Sequence, residues 1–384
     1  MPEFKLPPVS PLGGSTISTF FNVFKGKRIS RRYYSRIPVT VVLLLVCSLF
    51  HWIDKFYFLV RRKINTSSES PVFILGHWRS GTTFLHNLLA CDPVSAYITT
   101  YHAVFPNNLK SQWLFRPIMK AFLPPGRPGD NMKLGVHMPQ EDESALSNLT
   151  PMSYYHSFFF PGSYIDYYRD FVRFDGLPQS KIARWQKIYK TMVDTAIDNT
   201  GGHRPVLKNP VNTGRIRWLL QIYPDARFVY IMRNPIITYL SSKKFFSQLY
   251  PTVNFEEFSN RQVMEMVLDI YEKLLKDYLR DRDTIPPDNL IEIRYEDFEQ
   301  EPIEQLAHIY SKFHLDNFTQ VLPHFKTYLD TQKNYRGYQY KIKRWELDLV
   351  LSKLDFAMKI WNYDMPEDLI IMESSSDLAK KQPL

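Results

Sequence analysis

Between residues 71 and 295 the chain repeats one arrangement: a short apolar run, a turn, then a stretch whose apolar positions recur every three or four residues. The runs are VFIL at 72–75, PVLK at 205–208, RFVYIM at 227–232 and LIEIRY at 290–295. Runs this short that do not alternate read as strands buried on both faces, and their alternation with helical stretches predicts a parallel sheet with crossover helices. Helical spacing is clearest from about Phe255 to Asp281, and a shorter helix is predicted over 216–223. The expected fold is α/β, a parallel sheet flanked by helices, in one domain over residues 71–372.

Residues 101–200 break this rhythm with LPPGRPGDN (123–131), HMPQEDESAL (137–146) and the aromatic block YYHSFFFPGSYIDYYRDF (154–171). Insertions in open α/β folds cover the ligand edge, so this segment is expected to bind a ligand, while core packing better accounts for most of its rings. The first 20 residues, with Pro7, Pro8, Pro11, Gly13 and Gly14, read as a flexible tail. NTSSES at 65–70 reads as a boundary, and residues 373–384 as a frayed end.

An apolar run at 38–53, PVTVVLLLVCSLFHWI, is interrupted by Asp54 and Lys55 before FYFLV. It falls short of the roughly 20 residues a spanning helix needs, and it lies too far from Met1 for a secretory signal. Basic residues flank it on both sides, which points to a helix on an anionic membrane surface with Leu43, Leu44, Phe50 and Trp52 entering the apolar layer. A helix packed on the domain and a single spanning helix are the alternatives.

The net charge of +9 belongs to the same segment: residues 1–63 carry eleven Lys or Arg against Glu3 and Asp54, and the rest is balanced. A localised excess of this kind argues for a membrane surface rather than nucleic acid. Two distant cysteines, Cys47 and Cys91, exclude a disulfide framework and a structural zinc site and fit a reducing, cytoplasmic compartment. The segment 1–63 is thus expected to hold the chain peripherally at a membrane.

The first apolar run leads into GHWRSGTT at 76–83, whose glycines have the separation of a P-loop. Such a loop turns successive backbone N–H groups toward an anion, and the helix after it adds its positive end. Thr82 stands where a nucleotide triphosphatase carries lysine, and the basic residue is displaced to Arg79. The loop is therefore suited to a phosphate chain shorter than a Mg²⁺-bound triphosphate. A second cation, Arg233, follows the run 227–232 in RNP, with Ser241 on the helix beyond. Carboxyl ends of parallel strands are where open sheets bind ligands.

These motifs resemble the sulfotransferases that use 3′-phosphoadenosine 5′-phosphosulfate (PAPS), over roughly residues 71–337. The resemblance implies a P-loop-like sulfotransferase fold in which Arg79, Ser80, Gly81, Thr82 and Thr83 hold the 5′-phosphosulfate. It further implies Arg233 and Ser241 on the 3′-phosphate, Tyr295 of YEDF beside the adenine, and Arg336 and Gly337 closing over the 3′-phosphate. Lys208, in PVLKNP, matches the family lysine that bridges the leaving phosphate and sulfonate, and its Lys-x-Pro setting is most similar to the tyrosylprotein and other membrane-linked members. No metal is implied.

The general base departs from both family patterns. Cytosolic members carry histidine two residues after the lysine, where this chain has Pro210; tyrosylprotein members use a glutamate near the place that Thr100 occupies here. Glu141 is the first candidate, Glu143 the second, with His102 and His137 in reserve, since neighbouring acids raise one another's pKa toward a useful range. An acidic helix start is the alternative reading of Glu141, Asp142 and Glu143. The expectation is sulfonate transfer from PAPS to a hydroxyl acceptor, lipid-like or sterol-like, against an ATP-dependent kinase or a non-catalytic membrane adaptor.

Overall fold

The computed structural model describes residues 10–60, 69–123, 134–332 and 339–373. Five parallel strands form the central sheet: β1 (Val72–Leu75), β2 (Ser95–Ala96), β3 (Arg204–Lys208), β4 (Arg227–Met232) and β5 (Leu290–Arg294), in the order β2-β3-β1-β4-β5. The four expected runs are four of these strands, with β5 ending one residue earlier than the run. β2 escapes a sequence reading because two residues carry no periodicity. A separate parallel pair, β6 (Lys341–Lys343) and β7 (Ile370–Met372), also went unpredicted.

Although β1 and β4 read as continuous apolar runs, their side chains serve two cores. Phe73, Leu75, Phe228 and Tyr230 pack against helices Gln179–Thr200, Asn260–Asp281 and Arg344–Ile360. Val72, Ile74, Val229 and Ile231 face the opposite way, against Leu85 and Leu88 of helix Thr82–Leu89 and Leu306 and Ile309 of helix Pro302–Lys312. A strand covered on both faces must be apolar at every position, which is why alternation is absent.

Helix Asn260–Asp281 begins five residues later than its periodicity predicts. Its start is fixed by a reciprocal cap in which Ser259 and Gln262 satisfy each other's backbone N–H. The residues just before it are claimed elsewhere: the preceding helix runs from Pro235 to Val253, and Phe255 N–H donates to Phe159 O (2.9 Å).

The N-terminal tail requires correction from Ser10 onward. Ser10 caps a 3-10 turn at Pro11–Gly14, Thr16 caps helix Ile17–Phe24, and Leu12, Phe20 and Val23 are buried with Phe159, Phe160 and Phe255. The proline and glycines there serve packing: a Cβ on Gly14 would lie 1.8 Å from the Val104 carbonyl oxygen. Residues 1–9, most of the 65–70 boundary and 123–131 loop, and 374–384 of the expected frayed end lie outside the described residues.

The apolar run at 38–53 belongs to a 25-residue helix, Arg36–Val60, that continues through Asp54 and Lys55 and is long and apolar enough to cross a membrane. Asp54 does not break it, because its carboxylate points inward and accepts from the Leu109 (2.7 Å) and Lys110 (3.2 Å) backbone N–H groups. Of the residues expected to enter a lipid layer, Leu44 is buried, Leu43 and Phe50 are half-buried, and Trp52 is exposed.

Most rings of the 154–171 block are core, as packing predicts: Tyr154, Tyr155, Phe159, Phe160 and Tyr168 are buried. What fastens the 101–200 segment to the sheet is a buried ion pair. Glu143, in the first turn of helix Asp142–Leu149, meets Arg215, which follows the 3-10 turn Pro210–Gly214 beyond β3 (Nη1 to Oε2, 2.5 Å), and neither side chain is exposed to solvent. Glu143 also accepts from Ser153 Oγ (2.8 Å), Tyr154 N–H (2.7 Å) and Asn209 Nδ2 (2.8 Å). Burial alone would raise its pKa, but the Arg215 charge and these donors outweigh it and hold the carboxyl below the usual glutamate range. Beside it, buried Asp142 accepts from Tyr189 Oη (2.7 Å), Asn212 Nδ2 (3.1 Å) and the Lys208 backbone N–H (3.1 Å). There burial prevails over the Tyr189 hydrogen bond and pushes the pKa up to about 6.

Two outcomes follow from this network. Glu143→Gln strands a buried guanidinium, so urea unfolding should show a loss of about 3–5 kcal/mol, and a well-packed apolar double replacement with Arg215 should recover much of it. For Asp142 the folded pKa lies above the unfolded one, so its contribution is present below about pH 4 and is lost as pH rises through about 6. Relative to Asp142→Asn, wild type should lose on the order of 3 kcal/mol over that interval and nothing further above it; a difference independent of pH would contradict the assignment.

Candidate active site

All five strands point the same way, so their carboxyl ends form one edge. The connection from β3 to β4 passes across β1, placing the reversal of strand order at β1, where such sheets bind ligands. The loop at 76–83 leaves β1 at that point. Gly76 (φ 137°), Arg79 (φ 72°) and Gly81 (φ 100°) all have left-handed backbones. A Cβ on Gly76 would come within 2.5 Å of Ile231 O, and one on Gly81 within 2.1 Å of the Tyr295 ring. Glycine is required at both because the loop is pressed against β4 and the start of helix Tyr295–Gln300. Gly81 caps helix Thr82–Leu89, whose first N–H groups open at this edge.

Neighbouring strands bring the other cations to the loop. Lys208 closes β3 in register with Ile74 of β1. Arg233 follows β4, donates to Arg79 O (3.2 Å) and lies over the Tyr295 ring, 4.3 Å from its centre. Arg79 Nε donates to Ser241 Oγ (3.1 Å) on the helix that Asn234 caps and Pro235 begins. Ser80 turns away, its hydroxyl donating to His77 O (2.8 Å). A cleft of about 290 Å³ opens here, with Arg79, Thr82, Thr83, Glu141, Arg233 and Tyr295 in its wall. A glycine loop over a helix start, two arginines and an aromatic ring fit a phosphorylated nucleotide.

The three neighbouring acids separate in space. Glu141, the N-cap residue of its helix, turns its carboxylate to Lys208 Nζ (2.6 Å), with the lysine 1% and the glutamate 16% exposed. Asp142 binds the Lys208 backbone, and Glu143 is held by Arg215, so both of its oxygens are occupied away from the cleft. The reading of these acids as a helix start also holds, since Asp142 and Glu143 form its first turn.

His102 is fully buried, and burial lowers its pKa to about 3; its Nε2 lies 3.4 Å from the Thr195 hydroxyl. His137 lies beside Arg116, in a separate surface groove. Neither lines the cleft. Arg336 and Gly337 lie outside the described residues.

Two residues at the site were not anticipated. Trp78, inside the glycine loop, donates from Nε1 to Tyr155 Oη (3.2 Å), and that hydroxyl in turn hydrogen-bonds Glu141 Oε2. The chain Trp78–Tyr155–Glu141–Lys208 thus connects the loop to the end of β3. Trp78 could have been noticed from its place between the glycines; Tyr155 carries no signal within a block of nine Phe and Tyr rings.

Comparison with known proteins agrees with this fold. The chain is 29% identical over 276 residues to omega-hydroxy-beta-dihydromenaquinone-9 sulfotransferase Stf3 of Mycobacterium bovis and of Mycobacterium tuberculosis, covering 72% of this chain and 70% of each relative. Its fold is shared with the crystal structure of sulfotransferase STF9 from Mycobacterium avium (TM-score 0.68, 16% identity, 91% of this chain and 90% of that one). It is shared too with STF1 from M. tuberculosis (TM-score 0.65, 18% identity, 87% and 89%). The sulfotransferase family model matches residues 71–320, from the residue before β1 into helix Phe318–Asp330, the third helix after β5, and the chain therefore belongs to the sulfotransferase family of enzymes.

Proposed function

We propose that this enzyme transfers a sulfonate group from PAPS to the hydroxyl of a lipid-like acceptor, with residues 71–372 as the catalytic unit. The carrying observation is the contact of Lys208 with Glu141, 2.6 Å long, at the cation-lined carboxyl edge of the sheet. The acceptor class draws on the Stf3 relative, whose name specifies a hydroxylated menaquinone.

In this reading the N–H groups of the loop, the hydroxyls of Thr82 and Thr83 and the start of their helix hold the 5′-phosphosulfate, with Arg79 completing the cradle, while Ser80, turned to His77 O, holds the shape of the loop. Arg233 and Ser241 take the 3′-phosphate, joined by Arg336 and Gly337, and Tyr295 packs beside the adenine. PAPS supplies an electrophilic sulfur whose leaving group is the 5′-phosphate. The Lys208 ammonium stabilises the charge that develops on that phosphate. The Glu141 carboxylate takes the proton of the acceptor hydroxyl while the new O–S bond forms and the old S–O bond breaks. A carboxylate and an ammonium already in contact fit this division, because the lysine turns to the leaving phosphate as the glutamate turns to the acceptor. A cytoplasmic enzyme held peripherally at a membrane would meet such an acceptor.

The donor assignment is tested by thermal-shift titration with 3′,5′-adenosine bisphosphate, the desulfated product. At one hundred times Kd it should stabilise by about 2.7 kcal/mol, and Arg233→Ala should abolish the shift. Stabilisation by ATP with Mg²⁺ alone would favour a kinase instead. Lys208→Ala should lower kcat by about 10²–10³ and Glu141→Gln by about 10²–10⁴, with the bisphosphate still bound in both. Wild-type turnover in Glu141→Gln would remove it as the base.

A further inference from the structure

Helix Arg36–Val60 has two faces of opposite character. Thr40, Leu44, Cys47 and Asp54 lie on a buried face, and that face is fastened along its length. Arg36 donates to Pro251 O and Asn254 O (2.8 Å each), the Ser10 N–H donates to Thr40 Oγ1 (2.9 Å), and Asn108 Nδ2 donates to Cys47 O (3.1 Å). Asp54 accepts from two backbone N–H groups of the adjoining loop, as described above.

The other face carries Val42, Leu45, Leu49, Trp52, Phe56 and Leu59, each more than half exposed, at alternating spacings of three and four. At 1.5 Å per residue this stripe is about 25 Å long. Monomeric proteins rarely leave a continuous apolar patch of such size to water. Its surroundings state what covers it. Lys25, Arg28, Arg31 and Arg32 are exposed just before the helix, Lys55 is exposed on it, and the sequence continues after it with Arg61, Arg62 and Lys63. With cations at both ends, a second copy of the chain laid on this stripe in either direction meets like charge. Anionic lipid headgroups meet opposite charge at both ends, and their acyl layer takes the stripe.

We propose that this helix is an in-plane docking face for anionic membranes, lying along the bilayer surface while it remains fastened to the domain, and that it does not cross the bilayer. Spanning would strip the helix from the domain, leave the Leu109 and Lys110 N–H groups without their acceptor and carry the Asp54 carboxylate into hydrocarbon. Docking in the plane breaks none of these bonds. The proposal goes beyond the sulfonate chemistry and rests on the helix surface alone, so it is measured without PAPS or acceptor.

The test is flotation of the full chain with phosphatidylcholine vesicles, with and without phosphatidylserine, followed by an alkaline carbonate wash. Binding should require phosphatidylserine, weaken with salt and be released by carbonate. Leu49→Asp combined with Phe56→Asp should reduce binding at least tenfold with an unchanged melting temperature, since both side chains face outward. Arg28→Glu with Arg31→Glu, which leaves the helix intact, should reduce it comparably. Retention through the carbonate wash would overturn the proposal in favour of a span. A dimer by light scattering that the Leu49 and Phe56 substitutions convert to monomer, without vesicle binding by wild type, would overturn it in favour of a second copy.

Discussion

The contact between Glu143 and Arg215 is the constraint on which the rest of the site depends. A carboxylate and a guanidinium, both without exposed surface, are tolerated in this interior only because each neutralises the other and Ser153, Tyr154, Asn209 and Phe171 satisfy what remains. The pair ties the start of helix Asp142–Leu149 to the turn beyond β3, and so sets the insertion at a fixed distance from the sheet. Once Glu143 points inward, the preceding residues have little freedom: Asp142 meets the Lys208 backbone and Glu141 meets the Lys208 side chain. Acid density at this helix start therefore serves three separate tasks.

The carboxyl edge shows the same economy. Gly76 and Gly81 allow the loop to approach β4 and Tyr295 more closely than any side chain would permit. That approach puts Arg233 on the loop's carbonyl and Arg79 on Ser241, so the two phosphate motifs of the sequence become one surface. Trp78, between the glycines, extends the same loop through Tyr155 to Glu141. The loop at the cleft and the orientation of the proposed base are thereby mechanically connected.

The N-terminal segment is part of this body rather than a tether. Leu12, Phe20 and Val23 share a core with Phe159, Phe160 and Phe255, and the long helix shares another with Tyr101, Phe105 and Phe115. Both cores include residues of the 101–200 segment. Any surface that the N-terminal helix docks on is consequently held in a fixed relation to that segment.

The sequence by itself determined the α/β architecture, four of the five sheet strands, the glycine loop, and Lys208 and Arg233 at strand ends. Each of these is written in local spacing: a run buried on both faces, a glycine separation, a cation after an apolar strand. It placed Glu141 ahead of Glu143 and His102 without showing which of them meets the Lys208 side chain, did not reveal Tyr155, and could not say that Leu44 faces inward while Leu49 faces out. It also mistook residues 10–20 for a loose tail, because proline and glycine report local backbone preference and not what the backbone packs against. Only the tertiary structure decided these points. A buried charge is stabilised by whichever partner arrives through space, and Arg215 and Lys208 reach the acids from more than sixty residues away along the chain.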